Sequence, residues 1–226
     1  MGVALFEYRS HPMSPALTDG VVTIRPMTLA DVPPHVEGDD DEQARWLMAG
    51  RHSTTQTTSE WVRRNAEAWA AGGKIMNFGV VEVCSNALVG FVEAHAQDGA
   101  EELDGVDPGE ANVAYGIYPA FRRKGYASRA VALMTSFLAS RGFRRAVIRA
   151  DPANAGSIAV ARSCGFSPRG RITTKSGEAL AVFKKETDPA EAPGSVDHGQ
   201  TGGRGSRHPG TRNCDGEGRS LTRRPL

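Results

Sequence analysis

One stretch of the 226-residue chain constrains its fold more than any other: Ala111–Val131, reading ANVAYGIYPAFRRKGYASRAV. Asn112–Tyr118 is rich in Val, Ile and Tyr, the composition of a strand. Pro119 closes it, because proline has no N–H to donate to a ladder. Arg122, Arg123 and Lys124 then lead into Gly125. From there Ala127, Ala130, Val131, Met134, Phe137 and Leu138 fall at helical spacing. A helix start leaves backbone N–H groups unpaired and carries positive partial charge. Small residues at Gly125 and Ala127 let an anion approach that backbone. Strand, basic glycine loop and helix start together suit a pyrophosphate.

The neighbouring elements extend this unit. Gly142 stops the helix near Arg141, and Arg144–Ala150 reads as the next strand, giving a parallel strand–helix–strand crossover. Ala155–Cys164 is a short helix ended by Gly165, Phe166 begins a chain reversal, and Ala179–Lys184 is a last strand. Upstream, Val21–Pro26 is a first strand, and Thr28 with Asp31 marks a helix start. Pro33-Pro34 fit only the first turn of that helix. Glu42–Met48 is a helical piece. Thr57–Ala71 is a longer helix, capped by Thr58 or Ser59 and stopped by Gly72-Gly73. Ile75–Val83, the turn Ser85-Asn86 and Ala87–His95 make a hairpin, and Gln97–Glu110 is an acidic, solvated loop. Trp46, Trp61 and Trp69 are expected in the core, the alternative being that one lines a pocket.

Bulk properties exclude several classes. A formal net charge of +1 argues against a general nucleic-acid binder. Cys84, Cys164 and Cys214 show neither a disulfide framework nor zinc-ligand spacing, so the expectation is a reducing, cytoplasmic setting without a metal. No apolar run approaches the ~18 residues that span a bilayer, and no signal-peptide core opens the chain. One domain is expected over residues 20–186, after a flexible arm at 1–19. The Gly-, Arg- and Pro-rich segment 187–226 has Val196, Leu221 and Leu226 as its only aliphatic residues larger than Ala. It buries too little to offset ordering and is expected to be a disordered tail.

Arg122-x-x-Gly125-x-Ala127, set after a strand ending in Tyr118-Pro119, resembles the R/Q-x-x-G-x-G/A signature of the GNAT (GCN5-related) N-acetyltransferases. Asn154-x-x-Ser157, followed by Gly165-Phe166, is similar to the second landmark of the Rim-type (RimJ/RimL) branch, which contains the ribosomal-protein alanine acetyltransferases. Thr23–Pro26 with Thr28–Asp31, Leu88–Phe91 and Ala114–Pro119 resemble that branch's strands in the right order, over about residues 20 to 185. The resemblance implies an α/β GNAT fold: a mixed, twisted β-sheet flanked by α-helices with a CoA cleft. It implies transfer of an acetyl group from acetyl-CoA to a primary amine, on a protein N-terminus or a small molecule, by direct attack in a ternary complex. A Gly-x-Gly-x-x-Gly fingerprint and a Walker loop are both absent.

For this chemistry the amides of Arg123, Lys124, Gly125, Tyr126, Ala127 and Ser128 are the candidates for the pyrophosphate, with Arg122 and its neighbours as flanking cations. By resemblance, the strand backbone at Tyr115–Tyr118 pairs with the pantetheine arm, and an amide of Ile117 or Tyr118 polarises the thioester carbonyl. Asn154 contacts that arm, caps its own helix, or does both. The tyrosine that many relatives place four residues before Gly165 is replaced here by Ala161, and the resemblance to the Rim-type branch implies the serine of Asn154-x-x-Ser157, Ser157, as the candidate proton donor to the thiolate. Asn112 stands where relatives often carry Glu, so Glu110 becomes the candidate general base, with Glu93 and His95 as alternatives. These two departures support a rival reading, a non-catalytic acyl-CoA-binding module on the same fold. The tail arginines offer a third, docking on RNA or a ribosome, without a strong nucleic-acid signal. No membrane partner is expected, and a homodimer stays open.

Overall fold

The computed structural model describes residues 16–71, 75–97 and 103–187. Its strands are β1 (Leu17–Thr18), β2 (Val22–Pro26), β3 (Ile75–Glu82), β4 (Leu88–Ala96), β5 (Glu110–Ile117), β6 (Arg145–Ala150), β7 (Ser167–Thr173) and β8 (Ala179–Glu186). The helices are α1 (Val32–Glu37), α2 (Asp41–Leu47), α3 (Thr55–Ala70), α4 (Tyr126–Ser140) and α5 (Ala155–Ser163). All eight strands form one mixed sheet in the order β1-β2-β3-β4-β5-β6-β8-β7. Every pair is antiparallel except β5–β6, which α4 joins as the expected crossover.

Alternation along the strands gives the sheet two apolar faces. Met76, Phe78, Val80, Val92 and Val113 lie under α4, whose Ala130, Val131, Met134, Phe137 and Leu138 form one buried stripe. Phe91 and Tyr118 lie on the opposite face with Met27, Val32 and Val62. Trp61 packs there, and Trp69 meets Phe78 and Phe137 edge-on at 5.2 and 5.9 Å, so both are core residues as expected.

The feature that positions the site is a split between β5 and β6. Glu110, Ala111 and Asn112 pair with Arg145, Ala146 and Val147, and the ladder stops there. Beyond it the Arg149 Nε donates to Asn112 Oδ1 at 3.1 Å, so side chains bridge where backbones no longer do. The edge from Val113 to Ile117 is left open toward β6. β6 itself continues to Ala150 against β8.

Local chemistry moved several boundaries. A single 3-10 turn, Leu29–Asp31, precedes α1, so Pro33-Pro34 fall within that helix's first turn. Asp31 is fixed there by Arg25 at 2.7 and 2.8 Å. Thr54, rather than Thr58 or Ser59, caps α3, accepting from Thr57 N at 3.1 Å; Thr58 is buried. β1 joins the sheet from within the expected N-terminal arm, and β7 occupies the expected chain reversal. Thr187 belongs to the domain, its N–H donating to Arg144 O at 3.0 Å. The rest of the tail, residues 72–74, 98–102 and 1–15 lie outside the described residues.

Candidate active site

The β5–β6 split opens into a cleft of about 1340 Å³. The open β5 edge, the start of α4, the start of α5 and residues of α2 line it. Backbone parity decides which groups face it. Tyr118 N donates to Val89 O at 2.9 Å, and Gln97 N to Glu110 O at 3.0 Å. Even-numbered residues of β5 therefore bond to β4, and Val113, Tyr115 and Ile117 turn their N–H and C=O groups toward the split. Of the two candidate amides, Ile117 thus faces the cleft and Tyr118 does not. The Tyr118 side chain is no closer, being buried under α1 with its hydroxyl 2.9 Å from His35 Nδ1.

α4 opens without a side-chain cap. Gly125 precedes it at φ +80°, a conformation that most side chains disfavour, and a Cβ there would meet nothing within 4 Å. The first intrahelical bond, Arg129 N to Gly125 O at 3.2 Å, leaves the N–H groups of Tyr126, Ala127 and Ser128 without helical acceptors. These are three of the amides that the sequence offers as candidates for a pyrophosphate. The flanking cations divide. Arg123, at φ +60°, lines the cleft. Lys124 lies outside the lining, with its ammonium 5.3 Å from the Phe121 ring. Arg122 is committed to the protein: it holds Asp40 at 2.7 and 2.8 Å, Glu42 at 2.7 Å and Ile117 O at 2.9 Å. It clasps α2 to the end of β5 rather than standing as a free phosphate partner. The Tyr126 phenol turns away to Glu82, and Ser128 Oγ meets Ser163 Oγ at 3.1 Å, tying α4 to α5.

α5 presents its start to the same space. Asn154 Oδ1 accepts from Ser157 N at 2.9 Å, so the capping role is realised while the residue lines the cleft. Ser157 Oγ lies 3.0 Å from the Tyr115 hydroxyl, and both residues line the cleft. Burial, partly offset by the bond to Ser157, pushes the Tyr115 phenol up to about 12. Ala161 is fully buried in the core. The Tyr115 side chain went unassigned in the sequence, although period-two alternation sets it on one face with Val113 and Ile117.

Glu110 is corrected outright. It is fully buried at the first position of β5 and does not line the cleft. Lys184 Nζ at 2.7 Å, Asp107 N at 2.9 Å and Arg145 Nη1 at 3.0 Å surround its carboxylate. Burial alone would raise this carboxyl, but the three donors together hold it below the usual range. A carboxylate so held is a poor base. Glu93 accepts from Asn77 Nδ2 at 3.0 Å and stands 3.1 Å from His95 Nε2, and neither residue lines the cleft. The carboxylates that do, among the described residues, are Glu42, Asp151 and Glu178. Glu42 is held by Arg122, and Asp151 accepts from Ala153 N at 2.7 Å. Glu178 and Trp46, the latter beneath the Arg45 guanidinium at 4.3 Å, border the cleft from the β7–β8 turn and from α2. Only the tertiary fold brings Glu178 there, so no sequence signal marked it.

An open strand edge and the uncapped, amide-bearing start of α4 thus line one cleft. The chain belongs to the acetyltransferase (GNAT) family: the profile of that domain matches residues 22–167. Acetyl transfer to an amine is the chemistry of the family. Among solved structures, the ribosomal-protein-S5-alanine acetyltransferase of Vibrio fischeri superposes with a TM-score of 0.63 at 16% identity, covering 77% of this chain and 98% of that one. RimL, the ribosomal L7/L12 alpha-N-protein acetyltransferase, in complex with coenzyme A, gives 0.61 at 20% identity over 77% and 98%. The microcin C7 self-immunity acetyltransferase MccE, in complex with acetyl-CoA and AMP, gives 0.62 at 16% identity over 75% and 93%. These likenesses are of fold, and the Rim-type resemblance seen in the sequence agrees with them. No curated protein sequence matches the chain. Among the described residues, no helix is long and apolar enough to cross a membrane.

Proposed function

We propose that the protein is an N-acetyltransferase that moves an acetyl group from acetyl-CoA to a primary amine by direct attack in a ternary complex. The observation that carries this is the open β5 edge leading to the uncapped start of α4. The amides of Gly125 to Ser128 would take the pyrophosphate, helped by the helix dipole. The edge at Val113, Tyr115 and Ile117 would pair with the amide-bearing arm as an added strand does. One of these amides, with Ile117 the first candidate, would polarise the thioester carbonyl.

In the reaction the lone pair of the neutral amine forms the N–C bond, the C–S bond breaks with its electron pair leaving on sulfur, and the nitrogen loses one proton to solvent water. Ser157 is the proposed donor to the departing sulfur. A thiol of pKa ~8.5 also leaves readily as thiolate, so complete proton transfer is not required. Among the described residues neither Glu93 nor Glu110 lines the cleft, and Asn112, whose side chain is occupied by Arg149, supplies no carboxylate at its own position. This favours an acceptor that is partly neutral without help. An α-amine, pKa ~7.7–8.0, meets that condition better than a lysine at ~10.4. A protein or peptide N-terminus is therefore the preferred acceptor, in line with what RimL and the S5-alanine enzyme act on, with a small-molecule amine as the alternative. Trp46 and Glu178, at the rim of the cleft, would meet it.

The test is an acceptor screen with acetyl-CoA, covering ribosomal-protein N-terminal peptides, lysine side-chain peptides and small amines, read by thiol release. Amine-dependent release, fastest with α-amines, is expected. A second reading, a non-catalytic acyl-CoA-binding module, is favoured by Asn112 and Ala161. It predicts tight CoA binding with no release above the uncatalysed rate for any amine.

A further inference from the structure

Hydroxyls on the helices of this protein usually turn back onto their own helix. Ser59 Oγ donates to Thr55 O at 2.6 Å, Thr135 Oγ1 to Val131 O at 2.8 Å, and Ser163 Oγ to Val160 O at 3.0 Å. Ser157, in the first turn of α5, meets a phenol from the sheet instead. The Tyr115 hydroxyl donates to Ser157 O at 3.2 Å and lies 3.0 Å from Ser157 Oγ, so both oxygens are within reach of its one proton. The partners are 42 residues apart in sequence, so folding and not local geometry brings them together. Tyr115 sits on the open β5 edge, and both side chains line the cleft.

We propose that Tyr115 is a positioning residue for Ser157: its single phenol proton, shared between Ser157 O and Ser157 Oγ, leaves the serine proton directed into the cleft, at the sulfur of bound CoA. The proposal rests on the acetyl-CoA reading of this cleft. A phenol pushed up to about 12 by burial remains protonated at any working pH, and so remains a donor. A hydroxyl that accepts one hydrogen bond becomes a stronger donor in the next. The Asn154 cap fixes the backbone of Ser157 at 2.9 Å, so only the hydroxyl rotor needs orienting. Tyr115 acts through Ser157 and itself exchanges no proton with substrate.

Bound CoA brings its thiol into the cleft without any acceptor, so the thiol's titration reads the contact directly. The ultraviolet absorbance of the thiolate, followed against pH with the protein saturated by CoA, gives the pKa of the bound thiol. A donor at the sulfur stabilises the thiolate, and the wild type should lower this pKa below that of free CoA. Tyr115→Phe and Ser157→Ala should each raise it by about half a unit to one unit, a roughly 3- to 10-fold loss of thiolate near the midpoint. The double variant should shift it no further than Ser157→Ala alone. A purely structural Tyr115 would leave the bound thiol unmoved. An unchanged pKa in Tyr115→Phe, or additive shifts in the double variant, would overturn the proposal. Calorimetry with CoA separates the two levels. A wild type that fails to bind CoA overturns the CoA reading and this proposal with it. Binding with an unmoved thiol overturns this proposal alone.

Discussion

Replacing Glu110 with alanine should cost folding stability and leave the pH dependence of acetyl transfer unchanged. The carboxylate is fully buried, and its donors are Lys184 at 2.7 Å, Asp107 N at 2.9 Å and Arg145 at 3.0 Å. Removing one partner of a buried ion pair typically costs about 3–5 kcal/mol, because the other charge is left desolvated. Here the cost is smaller: Lys184 keeps Asp107 at 2.9 Å, and Arg145 keeps Glu186 and reaches water. A loss of about 2–3 kcal/mol follows, or roughly 4–12 °C in Tm for a domain of this size. Thermal unfolding followed by circular dichroism at neutral pH, without CoA, measures it. The sign of the pH dependence is fixed by the carboxyl being held below its ordinary value of 4.5. Its contribution is complete above that value and is lost as the pH falls through the lowered pKa. Wild type and Glu110→Ala should therefore converge in acid. A Tm within ~2 °C of the wild type, combined with loss of the acidic limb of the pH–rate profile, would refute the reasoning and restore Glu110 as the base.

Three further outcomes are expected. Arg122→Ala should lower stability by about 1 kcal/mol through loss of its half-exposed clasp on Asp40 and Glu42, with only a secondary effect on CoA affinity. A collapsed CoA affinity at unchanged Tm would instead make Arg122 a phosphate ligand. Asn154→Ala should cost about 1 kcal/mol as a lost cap, and Asn154→Ser should recover most of it. If Asn154→Ser binds CoA as weakly as Asn154→Ala in a calorimetric titration, the side chain contacts the ligand as well as capping α5. Burial pushes the His35 imidazole below its usual 6.5, against the opposing charges of Asp39 and Glu93. Its contribution is complete above pH 6.5 and fades as the pH falls below, so His35→Gln should flatten the decline of the urea midpoint on acidification. An unchanged slope would contradict this.

The crossover around α4 was legible because its signals are local: Pro119 ends a strand, Gly125 opens a helix, and the apolar stripe from Ala130 to Leu138 repeats at helical spacing. β7 was not, because Ser-Pro-Arg-Gly-Arg-Ile-Thr is an exposed strand with a bulge between Pro168 and Gly170 and shows no alternation. Glu110 read as the last acid of a solvated loop, since its burial depends on Lys184, 74 residues away. The choice between the Ile117 and Tyr118 amides needed the register of β5 on β4, which no single strand encodes. Arg122 matched a family signature, yet its charge is answered by Asp40 and Glu42, some 80 residues earlier in the chain. Residue types were thus readable where the chemistry is backbone chemistry, and misread where a distant partner decides the side chain's state.

The central claim is that the uncapped start of α4 holds the phosphates of CoA. Calorimetric titration of CoA into the wild type, Gly125→Asn and Gly125→Glu tests it most directly. Gly125 adopts φ +80° with open space around a would-be Cβ. Asparagine tolerates that conformation and serves as the control for strain, whereas glutamate sets a carboxylate against the phosphate cradle. Saturable binding of one CoA per chain is expected for the wild type and for Gly125→Asn, and loss of binding for Gly125→Glu. No binding by the wild type, or equal affinity in all three proteins, would contradict it.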